Sequence, residues 1–251
     1  MRVRNVLFVS LVLAGCQSAR TPTRSYPPPF LGAQAPADPR ITARPPEVLA
    51  ASASVPAEAV PEPEDALTLA AECLQRGDEP AACVHLEAHV RRHPEQVMFR
   101  FRLAELLLRN GKPELARFHL ERFAADAQEA GLPLREQLVA CHTHLMELAR
   151  DADDPFAEQF HRGVGLLLVA EQPETDETFR EEVLCKAVKA LTAARELRPD
   201  DARVRLYLAE ARSRLGNSKG ADAERRAARN AARPGSLTPA EQQRLALAGR
   251  E

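Results

Sequence analysis

The chain has 251 residues, 45% of them apolar and 28% charged, and its 34 Lys plus Arg against 36 Asp plus Glu leave a formal net charge of -2. Such a balance contains no polyelectrolyte tail and gives no basis for nucleic-acid binding or for general disorder. Absence of Trp, only two Tyr and a single Ile, Ile41, in a sequence crowded with Ala, Leu, Glu and Arg argue against an all-β fold and for helices. Eleven of the 20 prolines fall between Pro22 and Pro63, and nine in the 188 residues from Glu64 to Glu251. The expectation is one folded domain behind a long tether.

Arg2 and Arg4 precede an apolar run from Val6 to Ala14, broken only by Ser10 and followed by Gly15 and Cys16. Its nine residues are about half of a membrane span, so the run reads as a secretory signal. The tetrad Leu13, Ala14, Gly15, Cys16 resembles a bacterial lipobox. The resemblance implies removal of residues 1–15 as a lipoprotein signal peptide and lipidation of the Cys16 thiol, leaving the body outside the cytoplasm. Two or three acyl chains (diacylglycerol, palmitate) would hold the protein durably where one would not. Gln17 stands where an aspartate often marks retention in the inner membrane, which implies the outer membrane, with the body facing the periplasm.

Residues 16–63 form the linker: Pro27, Pro28 and Pro29 in a row, Pro45 with Pro46, and a stretch of Ala, Ser, Val, Glu and Pro from Ala50 to Pro63. It carries too little apolar surface to offset the entropy of ordering, and is expected to be disordered and partly polyproline II in character. At roughly 3.1 Å per residue it could extend to about 145 Å, or span on the order of 40 Å as a coil. It serves either as a leash for meeting partners or as a spacer from the lipid surface.

After Pro63 apolar residues recur at helical spacing. Helices are expected near 65–76, 79–92, 97–109, 113–130, 134–151, 155–171, 179–198, 202–215, 218–232 and 239–248. Gly77, Gly111 and Gly216 are placed to end helices in the left-handed conformation. Pro113, Pro155 and Pro239 are placed at first helical positions, where a missing N–H costs nothing. Thr238 and Glu241 have capping-box spacing.

An offset of 34 residues aligns Leu69 and Ala70 with Leu103 and Ala104, Gly77 with Gly111, Ala82 with Ala116, and Leu86 with Leu120. Ala187 and Ala221 stand 34 apart, as do Ala194 and Ala228, while Leu208, Ala209 and Gly216 repeat the start of a unit. This pattern resembles the tetratricopeptide repeat, a helix pair whose small residues permit close approach. The resemblance covers most of 64–235, is strong for 63–96, 97–130 and 202–235, and weakens from Pro133 to Glu182, where an insertion around Pro173 to Glu177 leaves helix pairing open. It implies an all-α superhelix of nine or ten helices, closed by a C-terminal capping helix within 236–251. Arg225, Arg226, Arg229 and Arg233, near the end, read as a solvated face.

Repeats of this type bind peptides or helices in a groove lined by first helices. By resemblance that groove would expose Leu67, Ala71 and Leu74, then Phe101, Glu105, Leu108 and Arg109, and finally Leu206, Glu210 and Arg214, an apolar stripe edged by charge. Packing between helices explains part of the same set. His85, His89 and His93 form a ladder at spacing four, but the outer two are two turns apart and cannot easily join one metal. His85 aligns with His119, and His89 falls where the repeat packs a small residue, so the ladder is read as structural. Cys141 and His144 share a helical face with no second ligand cluster nearby. Cys73, Cys83, Cys141 and Cys185 form no CxxC pair and read as small packed residues, with a Cys73–Cys83 bridge as the alternative. Gly163 and Gly165 start no dinucleotide loop, and no phosphate loop, serine elbow or HExxH is present.

The sequence therefore leads to a non-enzymatic, lipid-anchored adaptor without cofactor or metal. It binds a protein or peptide and the membrane but not nucleic acid, in the setting of envelope or pilus assembly. The alternatives are a periplasmic metal-binding or catalytic lipoprotein using His85, His89 and His93, and a passive spacer.

Overall fold

The computed structural model describes residues 63–173 and 175–247, all within the second of the two units into which the chain divides, Pro61–Glu251. The expected signal peptide, the expected lipidation site Cys16 and the expected linker up to residue 62 lie outside the described residues.

Ten helices follow one another, with no strand among the described residues: α1 Pro63–Gln75, α2 Glu79–Arg92, α3 Val97–Arg109, α4 Pro113–Glu129, α5 Arg135–Asp151, α6 Pro155–Ala170, α7 Glu177–Leu197, α8 Ala202–Arg214, α9 Ser218–Ala231 and α10 Pro239–Leu247. Pro113, Pro155 and Pro239 open their helices as their missing N–H groups allow. The helix ends have local causes. Gly77, Gly111 and Gly216 adopt φ of 77°, 65° and 76°. The next amides, of Asp78, Lys112 and Asn217, then turn back onto Cys73 O, Leu107 O and Arg212 O at 2.8, 2.9 and 2.9 Å, satisfying carbonyls that the helix leaves open. After α5 the same turn uses Asp153, at φ 54°, and Asp154 then caps α6 by accepting from Ala157 N at 3.0 Å. The 179 start expected for α7 is two residues late, because Asp176 accepts from Phe179 N at 2.9 Å and starts the helix at Glu177.

Sequence neighbours pack as hairpins, α1 on α2, α3 on α4 and α8 on α9. Small residues in repeat register make the contacts: Ala70, Ala104 and Ala209 on first helices and Ala82, Ala116, Ala187 and Ala221 on second ones are all 4% exposed or less. In the irregular middle, α6 packs against both α5 and α7. There the small residue is Gly163: a Cβ at that position would lie 2.5 Å from Leu191 Cγ and 3.3 Å from Leu191 N, so only glycine lets α6 approach α7 this closely.

One core joins α1 to α4 through Leu86, Val90, Leu103, Leu106 and Leu107. A second joins α3, α4 and α5 through Phe101, Leu120, Phe123, Leu138, Cys141 and Leu145. A third, small one lies under the C-terminal segment, where Leu237 and Leu245 meet Ala202, Leu206 and Ala228. The array is thus an all-α stack of tetratricopeptide-type hairpins. Its last helix, α10, contacts α8 and α9 and also reaches back to α4, which curves the stack around an inner side. Among the described residues no helix is long and apolar enough to cross a membrane.

Candidate functional site

The inner side carries a cleft of about 470 Å³. Its floor is apolar, made by Leu138 of α5 and Val164, Leu167 and Leu168 of α6. One wall is the end of α4 with the following loop, Ala127, Gln128, Leu132 and Pro133, and the other is Tyr207 and Glu210 of α8. Ala240, Gln243 and Arg244 of α10 close one end. Leu132 is 38% exposed here, an uncovered apolar surface beside the floor.

Charged groups form the rim as a chain of contacts. Arg135 donates to Glu171 O at 2.8 Å, and the Glu171 carboxylate in turn receives Arg214. Arg244 Nη1 bridges both Glu210 oxygens at 3.1 and 3.2 Å, while Nη2 donates to Tyr207 Oη at 2.9 Å and to Gln128 Oε1 at 3.3 Å. The guanidinium also lies 4.8 Å from the Tyr207 ring centroid. Tyr207 Oη completes the cycle by donating to Gln128 Oε1 at 3.3 Å. Burial raises the Glu210 carboxyl above its ordinary range, against the pull of Arg244 and Arg214. Burial likewise pushes the Tyr207 phenol up to about 12, so it stays a neutral donor and acceptor.

Residues expected to line a groove divide into three groups. Glu210 is at the cleft and Arg214 at its rim, and in the first two repeats Ala71 and Leu74 are exposed, Glu105 pairs with Arg102 at 2.8 Å and Arg109 with Glu79 at 3.0 Å. Leu67 and Leu108 are half-buried against the core around Leu103. Phe101 and Leu206 present no surface and correct the expectation. Phe101 is 3% exposed with its ring 5.0 Å from Phe123, because α5 covers that face of α3. Leu206 is 2% exposed, because Leu237 and Leu245 close over it. Gln128, Tyr207 and Arg244 were missed: positions 79 and 116 residues apart have no local signal that would unite them.

The histidine ladder is engaged elsewhere. His89 is buried, its Nε2 donates to Gln96 Oε1 at 3.0 Å, and its ring packs on His93 and Phe99 at 4.6 and 4.9 Å. Among the described residues no three His, Cys, Asp or Glu side chains are grouped to hold a metal ion. His144 pairs with Glu147 at 3.7 Å. All four described cysteines are free thiols, which replaces the Cys73–Cys83 bridge with two separate, partly buried contacts: Arg76 reaches Cys73 Sγ at 3.5 Å and Asn110 reaches Cys83 Sγ at 3.9 Å. Cys141 donates to Leu120 O at 3.2 Å, and burial raises its thiol pKa, so it is inert. The arginine face of α9 is partly engaged rather than wholly solvated: Arg225 pairs with Asp222 at 3.0 Å and Arg229 donates to Leu245 O at 3.2 Å.

The fold and cleft together define a class, a helical-hairpin repeat of tetratricopeptide type with an apolar, charge-rimmed inner cleft. No family profile matches the chain, and no curated protein is similar to it in sequence. Among solved structures it is similar to the crystal structure of MamA protein, at 13% identity and TM-score 0.34 over 67% of this chain and 91% of that one. It is also similar to MamA from residue 41 onward of Desulfovibrio magneticus RS-1, at 14% identity and TM-score 0.33 over 70% of this chain and 97% of that one.

Proposed function

We propose that the chain is a lipid-anchored adaptor of the bacterial envelope. Its repeats grip a protein partner in the inner cleft, while acylated Cys16 fixes it to the outer membrane and the linker sets its reach into the periplasm. The observation that carries the binding half is the cleft itself: an apolar floor from two helices, a rim of ion pairs and the exposed Leu132 beside it. That combination suits a segment with one apolar and one charged face. The anchoring half rests on the sequence, on Arg2 and Arg4, the run to Ala14 and the tetrad ending in Cys16. Envelope or pilus assembly is the setting such a combination serves by resemblance.

Affinity isolation from detergent-solubilised envelopes tests the binding half. Leu132→Asp places a charge in the cleft at a loop position and should reduce recovery of the partner at least tenfold with helical circular dichroism unchanged. Equal recovery by the variant and the unaltered chain contradicts the cleft as the binding site. Labelling with radioactive palmitate tests the anchor, and incorporation that persists in Cys16→Ala contradicts it.

A further inference from the structure

Four polar contacts from α4 and α8 converge on one guanidinium. Glu210 supplies both carboxylate oxygens, Tyr207 its hydroxyl and Gln128 its amide oxygen, and the Tyr207 ring lies beside the cation. None of these three residues belongs to the helix that carries Arg244. The site holds two guanidinium nitrogens at once, Nη1 on the Glu210 carboxylate and Nη2 on the neutral oxygens of Tyr207 and Gln128, with an aromatic ring beside them, a spread of acceptors that suits a planar guanidinium better than a compact ammonium.

We propose that this end of the cleft is a receptor for an arginine on an amphipathic partner helix, and that Arg244 of α10 occupies it in cis. The inference rests on the adaptor reading and adds the chemistry of the partner and the regulation of the site. α10 is a suitable internal substitute. It has nine residues, shorter than a helix that holds its shape alone, and a turn with Gly235 at φ 79° joins it to α9. From α10 itself one buried apolar side chain, Leu245, enters the core over Leu206, next to Arg244. Arg244 is also a wall of the open cleft, so a partner segment lying along the floor reaches the receptor only by displacing α10. A partner helix carrying Arg followed by Leu makes the same two contacts, the guanidinium on Glu210 and the leucine on Leu206. Removing α10 leaves the Glu210 carboxylate, 19% exposed, and the Tyr207 hydroxyl without their cation, which favours re-occupation.

The test uses the full chain and a fluorescent synthetic peptide with its own 236–249 sequence. The unaltered chain should bind this peptide weakly, and the chain with Arg244→Gln and Leu245→Ser at least tenfold more tightly. Replacing the peptide's arginine by glutamine, or adding Glu210→Gln to the chain, should each remove at least tenfold of that affinity. A correctly helical double variant that binds no more tightly than the unaltered chain overturns the proposal, as does binding indifferent to the peptide's arginine or to Glu210. If the double variant loses its helical circular dichroism, hydrogen exchange on the unaltered chain decides. Excess peptide should speed exchange of the 239–247 amides and leave α8 unchanged, and no change at 239–247 overturns the proposal. Partner recovery that depends on Leu132 while the peptide fails to exchange with α10 overturns the arginine receptor and leaves the adaptor reading standing.

Discussion

His142 and His161 meet inside the array with their Nδ1 atoms 3.1 Å apart, one ring donating and the other accepting, while His142 Nε2 is buried without a partner. Burial lowers the His142 pKa from 6.5 to about 4. Burial, then His142, Arg203 and Arg117, lowers His161 well below its ordinary value, and burial with Arg100 lowers His119. Because all three are lowered, the unfolded chain holds more protons than the folded one below 6.5, for His142 down to about 4. Stability is therefore full above 6.5 and falls as the pH drops toward 4, by about 1.4 kcal/mol per pH unit for each proton refused. Glu210 acts in the opposite sense: its raised folded pKa favours the native state as pH falls and offsets part of the loss. Urea melts at about pH 7.5 and about pH 5 should show the decline, with His142→Gln reducing the slope by up to one proton. Equal slopes in the two chains contradict the assignment. The helical glycines make a second residue-scale pair. Gly163→Ala drives a methyl into Leu191 and should cost about 1–2 kcal/mol after the gain in helix propensity. Gly165→Ala meets only His142 Cβ at 3.5 Å and should add about 0.5–1 kcal/mol. Thermal melts that rank the two alike would contradict the close approach of α6 to α7.

At the scale of elements, the C-terminal helices are held by one acid. Glu224 of α9, 6% exposed in its side chain, receives Arg195 of α7 at 2.6 Å and Arg205 and Arg212 of α8, each at 3.1 Å. The arginines are partly exposed, so water screens some of their charge. Glu224→Gln should still cost about 2–3 kcal/mol, because three guanidiniums lose the anion between them. A chemical melt within about 0.5 kcal/mol of the unaltered chain would show that the cluster is ornamental to stability. Helix ends were largely legible in the sequence because they depend on local chemistry: Gly, Pro and Asp act on backbone groups within a few residues. The capping box at Thr238 and Glu241 appears as read, at 2.8 and 3.2 Å. Pairing in the middle was not legible, since the insertion near Pro173 shifts register and α6 uses Gly163 where the other repeats use alanine. Nor was Glu224, which on an Ala- and Arg-rich helix has the pattern of a solvated acid.

For the whole molecule, the repeat offset was the most informative feature, because it reports stacking between units that propensity cannot. The equivalent alanines are the buried helix contacts, as the 34-residue register requires. The candidate site was legible only in part. Glu210 and Arg214 were placed at a groove because they follow repeat register. Phe101 and Leu206 were hidden by α5 and α10, elements outside that register. The cleft is built where α4, α5, α6, α8 and α10 converge, a product of long-range packing that no single unit encodes. Placing a photo-crosslinking amino acid at Leu132 in the cleft, or at Phe118 on α4, which is 59% exposed and outside it, tests the central claim in intact cells. The account predicts a discrete protein adduct from position 132 and none from 118. Adducts from 118 alone, or none from either position, would contradict a partner held in the cleft.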